Sequence, residues 1–186
     1  MRDVIQQGVQ TLASQNALTR DVAIACATAV LYLLGAAWLV AVVWQRARLT
    51  VAVVARVALL AVLAYGASLV LTGIVSDPRP YIVARTRALT PVGHDNGFPS
   101  DHTLLAAALT ASLWWIDRRL LAAFAVGTLL IALGRLGIGA HHTLDVLGSL
   151  AIAAVAARIV GALPLPAAWR RPLPLPPSPP FAARRP

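Results

Sequence analysis

The chain has no lysine and no glutamate: all 16 fixed positive charges are arginine and all 7 acids are aspartate. This reads as genomic composition bias and carries no functional weight. Cysteine occurs once, as Cys26, which excludes an intramolecular disulfide and says little about redox compartment. Charge itself is scarce. Charged residues make up 12% of the chain and hydrophobic ones 59%, against about a quarter charged in soluble globular domains. That excludes an ordinary soluble domain and indicates a polytopic membrane protein. The net charge of +9 would suit a nucleic-acid binder, but the arginines sit at the ends of apolar runs, which is the pattern of membrane topology. No nucleic-acid partner is expected. Met1–Arg20 also lacks the apolar stretch of a cleavable signal peptide.

What is present is a series of apolar runs. Val22–Trp44 and Val51–Val75 are each long enough to cross a hydrocarbon core of about 30 Å. Thr103–Ile116, Leu120–Gly134 and Val146–Ala157 are shorter, and the expectation is that their helices continue into flanking polar residues recessed at one membrane face. The predicted fold class is therefore all-α: a polytopic helical bundle of about five transmembrane helices. Residues 1–21 form an N-terminal segment, either an amphipathic helix on the membrane surface or a solvated leader. Residues 22–162 form the membrane-embedded domain, and 163–186 a Pro- and Arg-rich tail expected to be extended or disordered.

Arginine counts orient the bundle. Arg46, Arg48, Arg118, Arg119, Arg158 and the tail arginines mark the cytoplasmic side. Five crossings then bring the N-terminus, the long loop Ser76–Ser100 and the stretch Arg135–Asp145 together on the outer face.

Ionisable groups in apolar sequence are expensive and are functional candidates by default. Three clusters converge on the outer face: Asp77-Pro78-Arg79-Pro80, then Gly97-Phe98-Pro99-Ser100-Asp101-His102, then Gly134-Arg135 through His141-His142-Thr143-Leu144-Asp145. On a helix His141 and Asp145 share one face, and Gly137 and Gly139 supply a break that could return Arg135 to it. Ser100 or Asp101 reads as an N-cap, and a helix N-terminus with free N–H groups attracts anions. Two arginine forks beside it suit a phosphate. Two histidines can then divide a phosphoryl transfer, His141 as nucleophile oriented by Asp145 and His102 as proton donor. Charge stabilisation by the arginines and the helix dipole makes a metal or cofactor unnecessary, and none is expected. His142 is three residues from Asp145, so helical geometry alone leaves it open as the nucleophile.

Arg79-Pro80, Pro99-Ser100-Asp101-His102 and Gly134-Arg135-x5-His141-x3-Asp145 resemble the three signature motifs of the type 2 phosphatidic acid phosphatase superfamily, and more narrowly its bacterial undecaprenyl-diphosphate phosphatase members. The resemblance implies a helical membrane fold and metal-independent hydrolysis. It implies phosphate contacts from Arg79, Ser100 and Arg135, acid/base work by His102, and a phosphohistidine on His141 supported by Asp145. Family spacing is what selects His141 over His142.

Three positions depart from the family pattern. Thr72 stands where a lysine is usual and offers a hydroxyl without charge; Asp101 replaces a glycine and serves phosphate through its N–H; Gly134 replaces a serine.

The function implied is removal of the terminal phosphate from a polyisoprenyl diphosphate, undecaprenyl diphosphate above all, in a bacterial inner membrane with the site facing outward. Its partners would be a lipid diphosphate or monophosphate substrate and the surrounding membrane lipids. A broad lipid phosphatase acting on phosphatidic acid or phosphatidylglycerol phosphate is one alternative. A non-catalytic lipid-phosphate binder or flippase, favoured by Thr72, is another.

Overall fold

The computed structural model describes residues 3–173, so the part of the predicted tail beyond 173 lies outside the described residues. Eight α-helices follow in order: α1 (Val4–Ala13), α2 (Ala17–Ala27), α3 (Ala29–Trp44), α4 (Val51–Ile74), the single turn α5 (Pro80–Val83), α6 (Asp101–Ile116), α7 (Leu121–Gly137) and α8 (Thr143–Ala162). Among the described residues there is no strand, and the all-α expectation holds.

Helix α6 is the axis of the bundle and packs against α3, α4, α7 and α8. One side of it joins Leu60, Ala64, Ala153, Ala156 and Val160 through Leu104 and Ala107. Its other side joins Leu34, Phe124 and Ile131 through Ala106 and Leu113. Alanine is frequent at these contacts, as expected where helices in lipid associate by close approach instead of by expelling water. The large apolar side chains point the other way: Leu39, Val43, Val62, Val70, Leu129 and Val155 are all exposed. In a soluble protein that would be an aggregation hazard; here it suits contact with acyl chains.

Three helical stretches are long and apolar enough to cross a membrane: Val51–Ile74, Arg118–Gly137 and Thr143–Ala162. The bent pair α2–α3 makes up to a fourth. Helix α6, with 16 residues, is about 24 Å long and falls short of a full crossing. The short apolar runs do continue into the motifs, since α7 runs on to Gly137 and α8 starts at Thr143.

The first apolar run is not the single helix that its composition predicts. It breaks at Thr28 with a bend of 40°. Thr28 Oγ1 donates to Ile24 O at 2.7 Å, a back-bond of the kind that bends helices. The bend is also where α7 comes closest, because Gly134 lies directly against the backbone of Cys26 and Ala27.

The N-terminal segment is a helix docked on α7, not a free leader. Its inner face is mixed, with Val9 and Ala13 packed inward beside a polar residue. Gln6 is buried and donates to Leu136 O at 3.4 Å, whereas Val4, Ile5 and Leu12 are exposed. The described start of the tail also has structure: Ala167–Arg170 form a 3-10 turn, and Leu173 N donates to Leu49 O at 3.0 Å.

A Cβ at position 134 would lie against the backbone N of Ala27 and 2.7 Å from Cys26 C, and neither can move without shifting a helix. Gly134→Ala should therefore lower stability by about 1–3 kcal/mol in detergent thermal unfolding. Gly35→Ala, with nothing within 4 Å, should be neutral or raise it by up to about 1 kcal/mol. Equal midpoints for the two variants would contradict the close α2–α7 approach.

Candidate active site

The helix ends gather three segments at one end of the bundle: the end of α4 with the loop after it, the start of α6, and the turn between α7 and α8. That turn is made by Gly139, whose φ of +75° lies in the left-handed region that glycine enters without penalty. It reverses the chain so that Arg135, in the last turn of α7, meets His141 just before α8. Arg135 Nη2 comes to 3.1 Å from His141 Nε2. The glycine break expected to bring the arginine back does so.

Arg79 arrives from the opposite direction, and its Nη1 lies 3.3 Å from the same Nε2 and donates to Ala140 O at 3.2 Å. The other ring nitrogen, Nδ1, lies 2.9 Å from Gly97 O. A carbonyl oxygen can only accept, so Nδ1 carries the proton and Nε2 presents a lone pair to two guanidinium donors. His141 is 2% exposed. Burial, with the charges of Arg135 and Arg79, holds its imidazole below the usual value, although Asp145 pulls the other way. The neutral form of the ring is thus favoured, with the Nε2 lone pair facing the two positive groups.

Asp145 is fully buried, with Oδ2 3.4 Å from His141 Nδ1 and accepting from His142 N at 2.7 Å. The shorter contact to Nδ1 is the Gly97 carbonyl, at 2.9 Å. Residue 97 must be small for this: a Cβ there would sit 2.9 Å from Asp77 O and 3.1 Å from Asp145 Oδ2.

His142 faces elsewhere. Its Nδ1 is 3.6 Å from Asp3 Oδ2 and its Nε2 3.8 Å from Asp77 Oδ1, so it looks onto two carboxylates and not onto the arginines. Burial, and then the nearby Asp145, push the Asp77 carboxyl above its usual range.

Ser100 is the N-cap residue of α6, fully buried, and its Oγ accepts from Thr103 Oγ1 at 3.1 Å. Its side chain does not cap the helix, which leaves the first-turn N–H groups without a side-chain acceptor. Asp101 is exposed. His102 is half-buried in that first turn, within electrostatic reach of Arg135, His141 and Arg79. Thr72 is not brought to the cluster. Its hydroxyl is directed to Ser68 O at 2.8 Å and Phe98 O at 3.2 Å, and among the described residues no hydrogen bond links it to Arg79, Arg135 or His141.

Sequence reasoning missed three supports. Asn96 accepts from Asp77 N at 2.8 Å and donates to the carbonyls of Thr72 and Val75, closing the end of α4 onto the loop. Asp95, in the long loop before α6, binds Arg79 Nη2 at 2.9 Å. Slight burial pushes the Asp95 carboxyl up, and Arg79 more than reverses this, leaving it below the usual range. The third support is Asp3, which caps α1 through Gln6 N at 3.0 Å and also accepts from Thr143 N at 2.6 Å and Thr143 Oγ1 at 2.8 Å. An Asp ahead of an apolar helix announces a cap. Nothing local announces a partner 140 residues away.

Asp3→Ala should cost about 1–2 kcal/mol, because it uncaps α1 and the start of α8 together. Detergent thermal unfolding against Asp21→Ala, an exposed control paired with Arg20, checks it. A loss no larger than the control's would refute the clamp.

The model of the PAP2 superfamily matches residues 53–165, from α4 to the end of α8. The chain is similar to undecaprenyl-diphosphatase BcrC of Bacillus subtilis (strain 168), with 34% identity over 79 residues. That match covers 42% of this chain and 41% of the relative. No solved structure matches the chain. The matched span holds Arg79, His102, Arg135 and His141 in one cluster, and the chain belongs to the PAP2 superfamily.

Proposed function

We propose that the protein is a membrane lipid phosphatase that removes the terminal phosphate of a polyisoprenyl diphosphate, converting undecaprenyl diphosphate to undecaprenyl phosphate at the outer face of a bacterial inner membrane. The observation that carries this reading is the His141 Nε2 lone pair, held 3.3 Å from Arg79 Nη1 and 3.1 Å from Arg135 Nη2. Two guanidiniums aimed at a neutral nitrogen are a pair of donors waiting for a better acceptor. The name of the similar Bacillus protein supports the choice of substrate.

The terminal phosphate would enter at the first turn of α6 and take both arginines. One donor is now occupied by Asp95, whose side chain is 69% exposed. The Asp95 end of that pair is open to solvent, so an incoming phosphate dianion can take its place on Arg79. Once the guanidiniums bond phosphate oxygens, the Nε2 lone pair is free to attack phosphorus in line. The bond from phosphorus to the bridging oxygen breaks, and His102 gives that oxygen a proton. Water then attacks the phosphohistidine and gives a proton to His102, while phosphate leaves and His141 returns neutral. Through both steps the Gly97 carbonyl and Asp145 hold the positive charge that appears on the ring, and the arginines hold the phosphoryl oxygens.

Turnover by the purified chain in detergent tests this. Undecaprenyl diphosphate should be hydrolysed faster than phosphatidic acid; equal rates would instead mean a broad lipid phosphatase, and no phosphate released from any lipid phosphate would end the enzyme reading. His141→Ala should lose at least about 1,000-fold in kcat, with His142→Ala within about tenfold of the parent. Acid-labile, alkali-stable label trapped on the parent and absent from His141→Ala would mark the intermediate. The reverse pattern would make His142 the nucleophile.

The pH profile carries a sign. The nucleophile works deprotonated, so kcat/KM rises with pH through its pKa. That pKa is lowered, so the acid limb should lie below about 6.5. A limb above that value would contradict the buried, arginine-flanked setting.

A further inference from the structure

The opposite end of the bundle holds a second cationic cavity. There α4 and α7 begin while α6 and α8 end. A groove of about 590 Å³ opens between them, lined by Arg56, Arg118, Arg158, Trp114 and Trp115 over alanine side chains of α6 and α8. None of the residues in it belongs to the three motifs.

The three arginines have no acid. Among the described residues, no carboxylate comes within 4 Å of Arg56, Arg118 or Arg158. The nearest acid in sequence, Asp117, is taken by Gln45 Nε2 at 2.6 Å and by Arg119 N at 3.1 Å. Arg118 stacks on Trp114 at 4.1 Å and donates to Trp114 O at 3.1 Å. Arg56 is the least satisfied. Its guanidinium is 6.0 Å from the centre of the Trp115 ring, and its Nε is buried with no hydrogen-bond partner. A buried guanidinium donor without an acceptor is costly, and three like charges around one groove add repulsion. An anion would remove both costs.

Depth and lining say what carries that anion. Arg56 lies five residues into α4 and Arg158 four residues before the end of α8, about 6–8 Å in from those helix ends. Long arginine side chains reach from such depth toward the interface, where phospholipid phosphates lie, and tryptophan rings favour the same zone. The floor below the arginines is apolar and continues into exposed lipid-facing helix surface. The chain's own tail is a poor occupant. Its described part reaches this end, with Leu173 bound to Leu49, and its charged side chains are all arginine.

We propose that this groove is a binding site for the phosphate headgroup of an anionic phospholipid from the leaflet opposite His141, with the acyl chains lying along α4 and α8. The site is independent of the phosphatase chemistry, since no residue in it touches the His141 cluster.

Native mass spectrometry of the purified full chain, titrated with phosphatidylglycerol and with phosphatidylcholine of the same acyl chains, tests it. Phosphatidylglycerol should bind at least about fivefold more tightly. Arg56→Gln, and separately the exposed Arg158→Gln, should each weaken it by about fivefold and erase the preference. Arg135→Gln, at the other end, should keep it. Neither substitution at the groove should change turnover measured in phospholipid-free detergent. Equal binding of the two lipids by the parent chain would overturn the proposal. So would a preference lost in Arg135→Gln and kept in Arg56→Gln, which would move the lipid to the His141 site. Displacement of phosphatidylglycerol by millimolar inorganic phosphate would overturn the lipid assignment and leave a site for free phosphate.

Discussion

One hydrogen bond governs the arrangement around it: His141 Nδ1 to the carbonyl of Gly97, at 2.9 Å. It sets the tautomer, and the tautomer sets which nitrogen the arginines meet. Without an acceptor on Nδ1 the ring could carry its proton on Nε2, and two guanidinium donors would then face an N–H. The contact also ties the long loop before α6 to the turn before α8. Gly97 N in turn donates to Asp77 O at 2.8 Å, so the segment that positions His141 also anchors the backbone leading into Arg79.

The surrounding structure protects that contact. Leu89 N donates to Ile138 O at 3.1 Å, and Leu89 and Val92 pack against the buried Ile138 and Ala140, so the loop covers the turn. From the other side, α1 presses on α7 and Asp3 holds the first residue of α8. Helices α1 to α3 precede the span matched by the family model, yet Asp3 grips the turn inside that span. The family's motifs lie in one part of the chain, and part of their mechanical support comes from another.

The bundle is electrically asymmetric along its length. At the His141 end two arginines are buried, with a carboxylate on one of them and a lone pair shared between them. At the other end, among the described residues, no carboxylate comes within 4 Å of the arginines of the groove. In an apolar protein both arrangements concentrate positive charge at the ends of the helices.

Much of this was legible in the sequence because it is local. Uncharged apolar runs of this length are helices in lipid, since the alternative, a closed barrel, uses strands of about ten alternating residues. Gly137 and Gly139 marked the reversal, and the spacing of Arg79, His102, Arg135 and His141 carried the family. The choice between His141 and His142 was not local. Both precede Asp145 at helical distances, and only the fold turns one toward two arginines and the other toward Asp3 and Asp77. Thr72 was similar: its position in the motif suggested phosphate, while its hydroxyl is directed to Ser68 O one turn back and to the Phe98 carbonyl across the loop. The bend at Thr28 was hidden because composition reports hydrophobicity and not where a neighbouring helix crosses. The sequence by itself determined the apolar helical runs, the glycine break after Arg135 and the chemical groups available. Tertiary structure alone decided which lone pair those groups share, because the acceptor on His141 is a backbone carbonyl 44 residues away and a carbonyl has no residue type to read.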